Sequence, residues 1–261
     1  MLCNPVLSNA MAVLTAIRTI GIVSLASYGL AKITLATRWL GWHRLHVVAL
    51  ARANLPAMPR GYTMRALTPS EFAELGIDTA AAIQADWLGQ GYHCLGVVTP
   101  NDAMAGVVWM GTSQAREGSI ALEFLLPERV AWDTGMWVHP DYRAGRAFAA
   151  LWAGVGEWMD QRGLHYSYSV IADYNIASLM AHRRLGMAIL ANLLVIRIGR
   201  WQWIARGHDR WRVADSQHPL TWRLPLVPRE SQASLLPGIA KFSVGRANKR
   251  LQPQTAETGA D

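Results

Sequence analysis

The sequence predicts an α/β domain: a mixed sheet flanked by helices, with an apolar helical extension at the N-terminus. Three observations predict it. Between residues 60 and 206 the apolar runs come in the order strands, helix, strand, helix, strands, which is the order of a mixed α/β sheet. Pro140 and Asn175 each stand between a strand-like run and a helix-like run. The chain has 261 residues, 51% of them hydrophobic and 16% charged, enough to bury one large core or two small ones. That composition excludes a disulfide mini-protein, a collagen-like repeat and a wholly disordered chain. The two cysteines, Cys3 and Cys94, lie too far apart for a CxxC pair and too few for a thiolate zinc cluster.

Residues 1–58 are apolar and acid-free. The whole net charge of +7 lies in residues 1–70, which carry seven basic side chains and no acid, while the remainder sums to zero. A neutral remainder argues against a nucleic-acid-binding domain, which needs a basic face. The uncharged runs 1–17 and 19–31 fall short of the roughly 18–20 residues of a spanning helix. Residues 37–52 interleave Trp39, Trp42, Leu45, Val47 and Val48 with Arg38, Arg44 and Arg52. That mixture predicts a helix lying in an anionic membrane interface or packed on the domain, and hence a cytoplasmic protein peripheral to the inner face of a membrane.

Residues 60–206 read as the working domain. A strand at 61–67 precedes Thr68-Pro69-Ser70-Glu71, a helix start with a capping pattern. Runs 93–99 and 103–112 flank Pro100-Asn101-Asp102 as a hairpin. Residues 112–129 are less regular and read as an insertion. A strand at 131–138 stops at His139-Pro140, a helix covers 143–161 up to Gly163, and a strand follows at 164–171. A helix at 175–185 ends at Gly186, and strands at 187–198 and 201–204 flank Gly199-Arg200. Residues 207–261, with five prolines and little periodicity, read as a partly disordered tail.

Two stretches carry chemistry. In Val138-His139-Pro140-Asp141-Tyr142-Arg143-Ala144-Gly145-Arg146-Ala147-Phe148 a strand ends and a helix begins, and the free amides of such a helix start can hold a pyrophosphate. In 175–187, Asn175 opens a helix, Ser178 follows three places on, and Leu185-Gly186-Met187 closes it. The spacing of Asn175, Ser178 and Leu185-Gly186-Met187, with Val138, Pro140, Tyr142 and Arg143 upstream in the right order, resembles the GNAT N-acetyltransferase superfamily over residues 60–206. The resemblance implies a central sheet splayed at strand 131–138. It implies coenzyme A with its pantetheine arm on the backbone near Met136 and Val138, and its pyrophosphate on the amides of Arg143, Ala144, Gly145, Arg146, Ala147 and Phe148, with Asn175 in the second motif. The phosphate loop departs from the superfamily pattern: its two small positions hold Arg146 and Phe148, and Gly145 and Ala147 each sit one place early.

The implied reaction moves an acyl group, most simply acetyl, from acetyl-CoA or another acyl-CoA to a small-molecule amine without a metal. It needs a base for the ammonium and an acid for the leaving thiolate. The resemblance places His182 where many members carry a tyrosine that serves as the acid, and Asp133 on the splayed strand as the base, with Glu123 preceding it. Trp132 and Trp137 are candidates to line the acyl or acceptor pocket. His43 and His46 have HxxH spacing but no carboxylate or cysteine to complete a zinc set. Two alternatives compete with the CoA-dependent enzyme. One is a long-chain N-acyltransferase using an acyl carrier protein, of the N-acyl amino acid or acyl-homoserine lactone synthase type. The other is a membrane-associated module that kept the fold and lost catalysis.

Overall fold

The computed structural model describes residues 21–35, 39–77, 79, 81–117, 120–143, 145–207 and 209–226. In chain order the elements are α1 (Ile22–Leu35), β1 (Leu40–Ala51), β2 (Thr63–Ala66), α2 (Pro69–Glu74), α3 (Ala81–Gly89), β3 (His93–Val98), β4 (Met104–Thr112), β5 (Gln114–Arg116), β6 (Leu122–Leu125) and β7 (Val130–Val138). They continue with α4 (Ala147–Asp160), β8 (Tyr166–Ala172), α5 (Ile176–Arg184), β9 (Ala188–Ile198), β10 (Trp201–Arg206), β11 (Arg212–Asp215) and β12 (Leu220–Arg223). Nine strands form one sheet in the order β11-β10-β9-β1-β8-β7-β4-β3-β2, and β12-β6-β5 form a small second sheet. The expected mixed α/β architecture is present. β7 lies in the interior of the large sheet, antiparallel to β4 and parallel to β8. Helix α4 makes the crossover that two parallel neighbours require.

The sheet separates two apolar layers. On one face α4 packs Ala150, Leu151, Trp152, Val155 and Met159 against Leu95, Val108, Met110 and Ala131. On the other face Phe72 of α2 and Trp87 of α3 join Trp109, Trp132 and Tyr168 of the sheet and Phe124 of β6. The expected capping box starts α2: Thr68 Oγ1 accepts from the Glu71 amide at 3.3 Å, and the Glu71 carboxylate accepts from the Thr68 amide at 2.8 Å.

The main correction concerns residues 37–52. The expected interfacial helix is β1, an interior strand paired with β8 on one side and β9 on the other. The sheet therefore begins at Leu40, well ahead of the expected domain start at residue 60. A strand covered on both faces loses its period-two pattern and reads as a continuous apolar run. Two of the three basic side chains have partners within the fold: Arg44 pairs with buried Asp173 at 3.3 Å, and Arg52 with Asp160 at 2.6 Å, while Arg38 lies outside the described residues. The expected N-terminal helix does exist as α1, which packs on the outer half of β1. There Trp42 Nε1 donates to Ser27 Oγ at 3.2 Å, and Tyr28 meets Tyr174 edge-on at 5.6 Å.

Three smaller differences follow the same logic. Residues 112–129 contain β5 and β6, whose apolar side chains cover the large sheet; the Phe124 ring stacks on Trp132 at 4.8 Å. The expected tail begins with β11 and β12, which complete the two sheets, and residues 227–261 lie outside the described residues. The helix expected over 143–161 starts later, at Ala147, after a 3₁₀ turn at Pro140–Tyr142. His43 and His46 stand on a strand, where residues three apart face opposite sides. His46 bonds Asn192 Oδ1 at 2.6 Å, and no metal-holding group occurs among the described residues.

Candidate active site

β7 and β8 pair only at Val130–Tyr166, Ala131–Ser167 and Trp132–Tyr168. Beyond these pairs both strands continue, β7 to Val138 and β8 to Ala172, without hydrogen bonds between them. The sheet is splayed from Asp133 onward. A bulge against β4 lies in the same stretch, where three steps from Thr134 to Trp137 oppose two from Trp109 to Val107. Gly135 in the bulge has φ +58. A Cβ there would lie 2.6 Å from the Trp87 ring, so both conformation and space call for glycine.

The backbone of β7 past the bulge is turned into the gap. The His139 amide donates to the Ala105 carbonyl at 2.9 Å, which makes Val138 and Gly106 a non-hydrogen-bonded pair. The Val138 N–H and C=O therefore point toward the splay. Arg143 Nε donates to that C=O at 3.1 Å, leaving the N–H open to a ligand. Met136 and Val138 are half-buried on the rim.

Helix α4 starts at the end of this strand. Arg146 is its N-cap and supplies no side-chain cap, and the first α-helical bond at this end runs from the Ala150 amide to the Arg146 carbonyl at 2.8 Å. The amides of Ala147 and Phe148 are thus free of partners from this helix turn. Arg143, Gly145 and Arg146 are exposed, Phe148 is half-buried and Ala147 is buried. A Cβ on Gly145 would touch only the Tyr142 carbonyl, at 3.4 Å. Ala144 lies outside the described residues. Asn175 caps α5, its Oδ1 accepting from the Ser178 amide at 3.3 Å.

Asp133 and His182 come together on the helix face of the splay. Asp133 is 5% exposed and His182 4%. Ser167 Oγ donates to Asp133 Oδ1 at 2.6 Å, and Ser169 bonds the same carboxylate. Burial pushes the Asp133 carboxyl above the usual carboxylate range, against the pull of nearby His182 and of the two serines. The His182 ring sits edge-on to Trp152 at 5.3 Å and to Phe148 at 6.2 Å. Its Nδ1 lies 2.8 Å from the Ser178 carbonyl, so Nδ1 carries the proton in the neutral ring and Nε2 is the nitrogen available for exchange.

The opposite face holds a carboxylate that the motifs do not mark. Trp132 Nε1 donates to Glu117 Oε1 at 2.8 Å, and Thr134 bonds the same carboxyl. Burial pushes Glu117 up to about 7, against those two donors. Glu117 lies in the irregular stretch after β5, and its only sequence signal is that it is an acid there. Glu123, the acid expected before the strand, is committed to Arg116 at 3.0 Å. Trp132 belongs to the core beneath β6, and Trp137 meets His139 edge-on at 5.5 Å on the rim. Cys94 is buried on β3, its thiol pushed up to about 12 by burial.

The family model for the acetyltransferase (GNAT) domain matches residues 41–188, a span that starts inside β1 and ends in β9. The chain belongs to the GNAT acetyltransferase family. Its GNAT fold is similar to that of several solved structures. A tandem GNAT protein from the clavulanic acid biosynthesis pathway shares 16% identity over 70% of this chain and 59% of that one, with a TM-score of 0.40. A GCN5-related N-acetyltransferase from Kribbella flavida shares 14% over 64% and 63%, with a TM-score of 0.39. An aminoglycoside 6'-N-acetyltransferase from Acinetobacter baumannii shares 18% over 48% and 90%, with a TM-score of 0.36. The chain spans less than two thirds of the length of the first two. No curated protein matches it.

Proposed function

We propose that the chain is an acyl-CoA-dependent N-acyltransferase that moves an acyl group, most simply acetyl, to the amine of a small molecule. The observation that carries this reading is the splay itself. An unpaired strand edge presents the Val138 N–H to an extended arm, and the same strand runs into the open amides of α4. A pantetheine arm is a chain of amides, which the edge of β7 can pair as a strand would. The pyrophosphate meets the partial positive charge of the α4 terminus, with Arg143 and Arg146 beside it. The residues present fit coenzyme A: Met136 and Val138 for the arm, and the amides of Ala147 and Phe148 with the Arg143 and Arg146 side chains for the phosphates; the expected amides of Arg143 and Gly145 are instead bonded to the Pro140 and Tyr142 carbonyls at 3.3 and 3.0 Å. When bound, its thioester supplies the activated acyl group.

The chain's own groups supply the rest. His182, held at Nδ1 and buried beside Asp133, protonates the departing sulfur through Nε2. A carboxylate at the splay receives the ammonium proton; Asp133 and Glu117 flank it on opposite faces.

A screen of acetyl-CoA with amino acids, amino sugars and polyamines tests the reading by thiol release and product mass. The expected product gains one acetyl group. Retention of acyl carrier protein with no acetyl-CoA binding would transfer the reading to the carrier-protein donor, and no thioester consumption with either donor would sink it. Gly145→Val is expected to fold normally, since a Cβ meets only one carbonyl. It should weaken acetyl-CoA binding roughly tenfold by holding the pyrophosphate away from the amides. Unchanged affinity would remove the loop assignment.

We further propose that the outer face of α1 makes a weak contact with anionic membranes. Ile22, Val23 and Ile33 are 70%, 62% and 68% exposed, Trp39 beyond the helix is 74% exposed, and Lys32 shares this segment. No described helix is long and apolar enough to cross a membrane. Sedimentation with phosphatidylglycerol liposomes should fall in an Ile22→Ser/Val23→Ser/Trp39→Ser variant, and equal sedimentation of parent and variant would contradict the contact.

A further inference from the structure

Resting on the acyl-transfer reading, we propose that Glu117, not Asp133, takes the proton from the acceptor's ammonium, and that the acceptor is a cationic amine entering along the groove between α3 and the turn after β5. Four observations converge on this side of the splay.

The first is place. Trp132 and Thr134, the two β7 residues that bond Glu117, stand immediately before the Gly135 bulge, where the sheet opens. Asp133 faces the opposite way, among Ser167, Ser169 and His182, and is almost wholly covered. The second is a set of unpartnered polar atoms. The Tyr92 hydroxyl and Trp109 Nε1 are buried, and neither has a hydrogen-bond partner among the described residues. Trp109 Cδ1, bonded to that nitrogen, would be 3.0 Å from a Cβ on Gly135, so this free donor lies beside the bulge. Buried donors without acceptors are costly, and a polar ligand at the splay would satisfy them.

The third is access. A groove of about 740 Å³ is lined by Ala82, Ile83 and Asp86 of α3, by Arg116 and Ile120, which flank Glu117 in the chain, and by Ser216 and Pro219. Glu117 stands behind this wall, whose mixed apolar and polar side chains suit the body of an amine. The fourth is charge. Asp133 across β7 and the Tyr92 hydroxyl before β3 lie within electrostatic reach of Glu117, and Asp86 of α3 lies within reach of Tyr92. The Arg116 guanidinium is taken by Glu123 at 3.0 and 3.3 Å. That leaves Asp86, whose carboxylate accepts from Gln90 Nε2 at 2.8 Å, as the groove's negative group, which attracts an ammonium.

The proton balance is direct. An R–NH3+ group gives one proton to the Glu117 carboxylate. The freed nitrogen lone pair forms the N–C bond to the thioester carbonyl, and the C–S bond breaks with its electron pair on sulfur. The nitrogen loses a second proton as the amide forms, and the sulfur takes one up. The proton on Glu117 passes to solvent, so ammonium and thioester become amide, thiol and one proton. A base of this kind works best when its affinity for protons lies near the working pH.

The test uses the full chain, Glu117→Gln and Asp133→Asn. Glutamine keeps an acceptor for Trp132 Nε1, and circular dichroism verifies the fold of both variants. Carbon-13 NMR of the glutamate carboxyls, with Glu117→Gln assigning the resonance, should show Glu117 titrating near 7; titration at the ordinary value of about 4.3 would overturn the proposal whatever the activity. Acetyl-CoA turnover with spermidine, tyramine and glucosamine gives the second readout. The parent's kcat/KM should fall below about pH 7, and Glu117→Gln should lose that limb together with roughly 10²-fold or more of the rate. Asp133→Asn should retain the limb. A limb lost in Asp133→Asn but kept in Glu117→Gln would overturn the assignment. Calorimetry with acetyl-CoA keeps the two readings apart: a parent that binds no acetyl-CoA removes the acyl-CoA-dependent reading, whereas normal binding with an ordinary Glu117 titration removes only this one.

Discussion

Three consecutive residues of β7 serve two different environments. Asp133 points to the helix face, where Ser167 and Ser169 hold its carboxylate under Trp152 and His182. Trp132 and Thr134 point to the other face and hold the carboxyl of Glu117, beside a groove and two unpartnered donors. Burial raises both acids, but it does not give them the same work. Unmet buried donors stand on both faces, Trp152 Nε1 on one and Trp109 Nε1 with the Tyr92 hydroxyl on the other; what differs is that Asp133 is closed in by fixed hydroxyls whereas Glu117 is half-buried.

The severest way to break the comparison is to remove the strand that builds both faces. β1 gives Leu45, Val47 and Ala49 to the core under the small sheet, and Leu50 to the core under α4. A chain starting at Gly61 is expected not to fold, because the loss exceeds the 5–15 kcal/mol by which domains of this size are typically stable, about all of it. Cooperative urea unfolding of that fragment would contradict the account. It also follows that such a truncation cannot serve as a control for membrane binding.

A narrower cut affects the helix face alone. Trp152 is fully buried and sets the His182 ring. Trp152→Ala should cost about 3–5 kcal/mol in urea unfolding. It should also release His182 while leaving the Glu117 carboxyl titration in place. A matching shift at Glu117 would mean that the two faces are not independent.

The smallest effect is a pH dependence of stability. Glu117 in the folded chain keeps its proton up to about 7, against 4.5 for the group in its ordinary state. Between those values the unfolded chain binds fewer protons than the folded one, so the parent loses stability as pH rises through the window. Glu117→Gln removes that loss. The variant should gain on the order of 2–3 kcal/mol on the parent at pH 8, and little of that gain at pH 5. A gain of equal size at both values would contradict the raised carboxyl.

The legible parts of the sequence were those where local chemistry decides. Thr68 and Glu71 form the cap that their spacing predicts, Pro140 ends β7, and Asn175 caps α5. Asp133 and His182 meet because the two motifs fix the strand and the helix that carry them. β1 was hidden for a physical reason: between β8 and β9 it is covered on both faces, so its second half is a run of buried residues with no alternation. The partners of Arg44 and Arg52 lie far along the chain, at Asp173 and Asp160, and without them those arginines resemble an interface pattern. Glu117 was hidden because its hydrogen bond from Trp132 joins two separate elements, a contact no local pattern announces.

Amide hydrogen exchange with and without acetyl-CoA tests the central claim most directly, since it shows where the donor lies without requiring the acceptor. The account predicts added protection at Val138 and across Arg146, Ala147 and Phe148, with none along β1, whose amides already pair on both sides. Protection confined to another edge of the sheet, or none at a saturating concentration of acetyl-CoA, would contradict it.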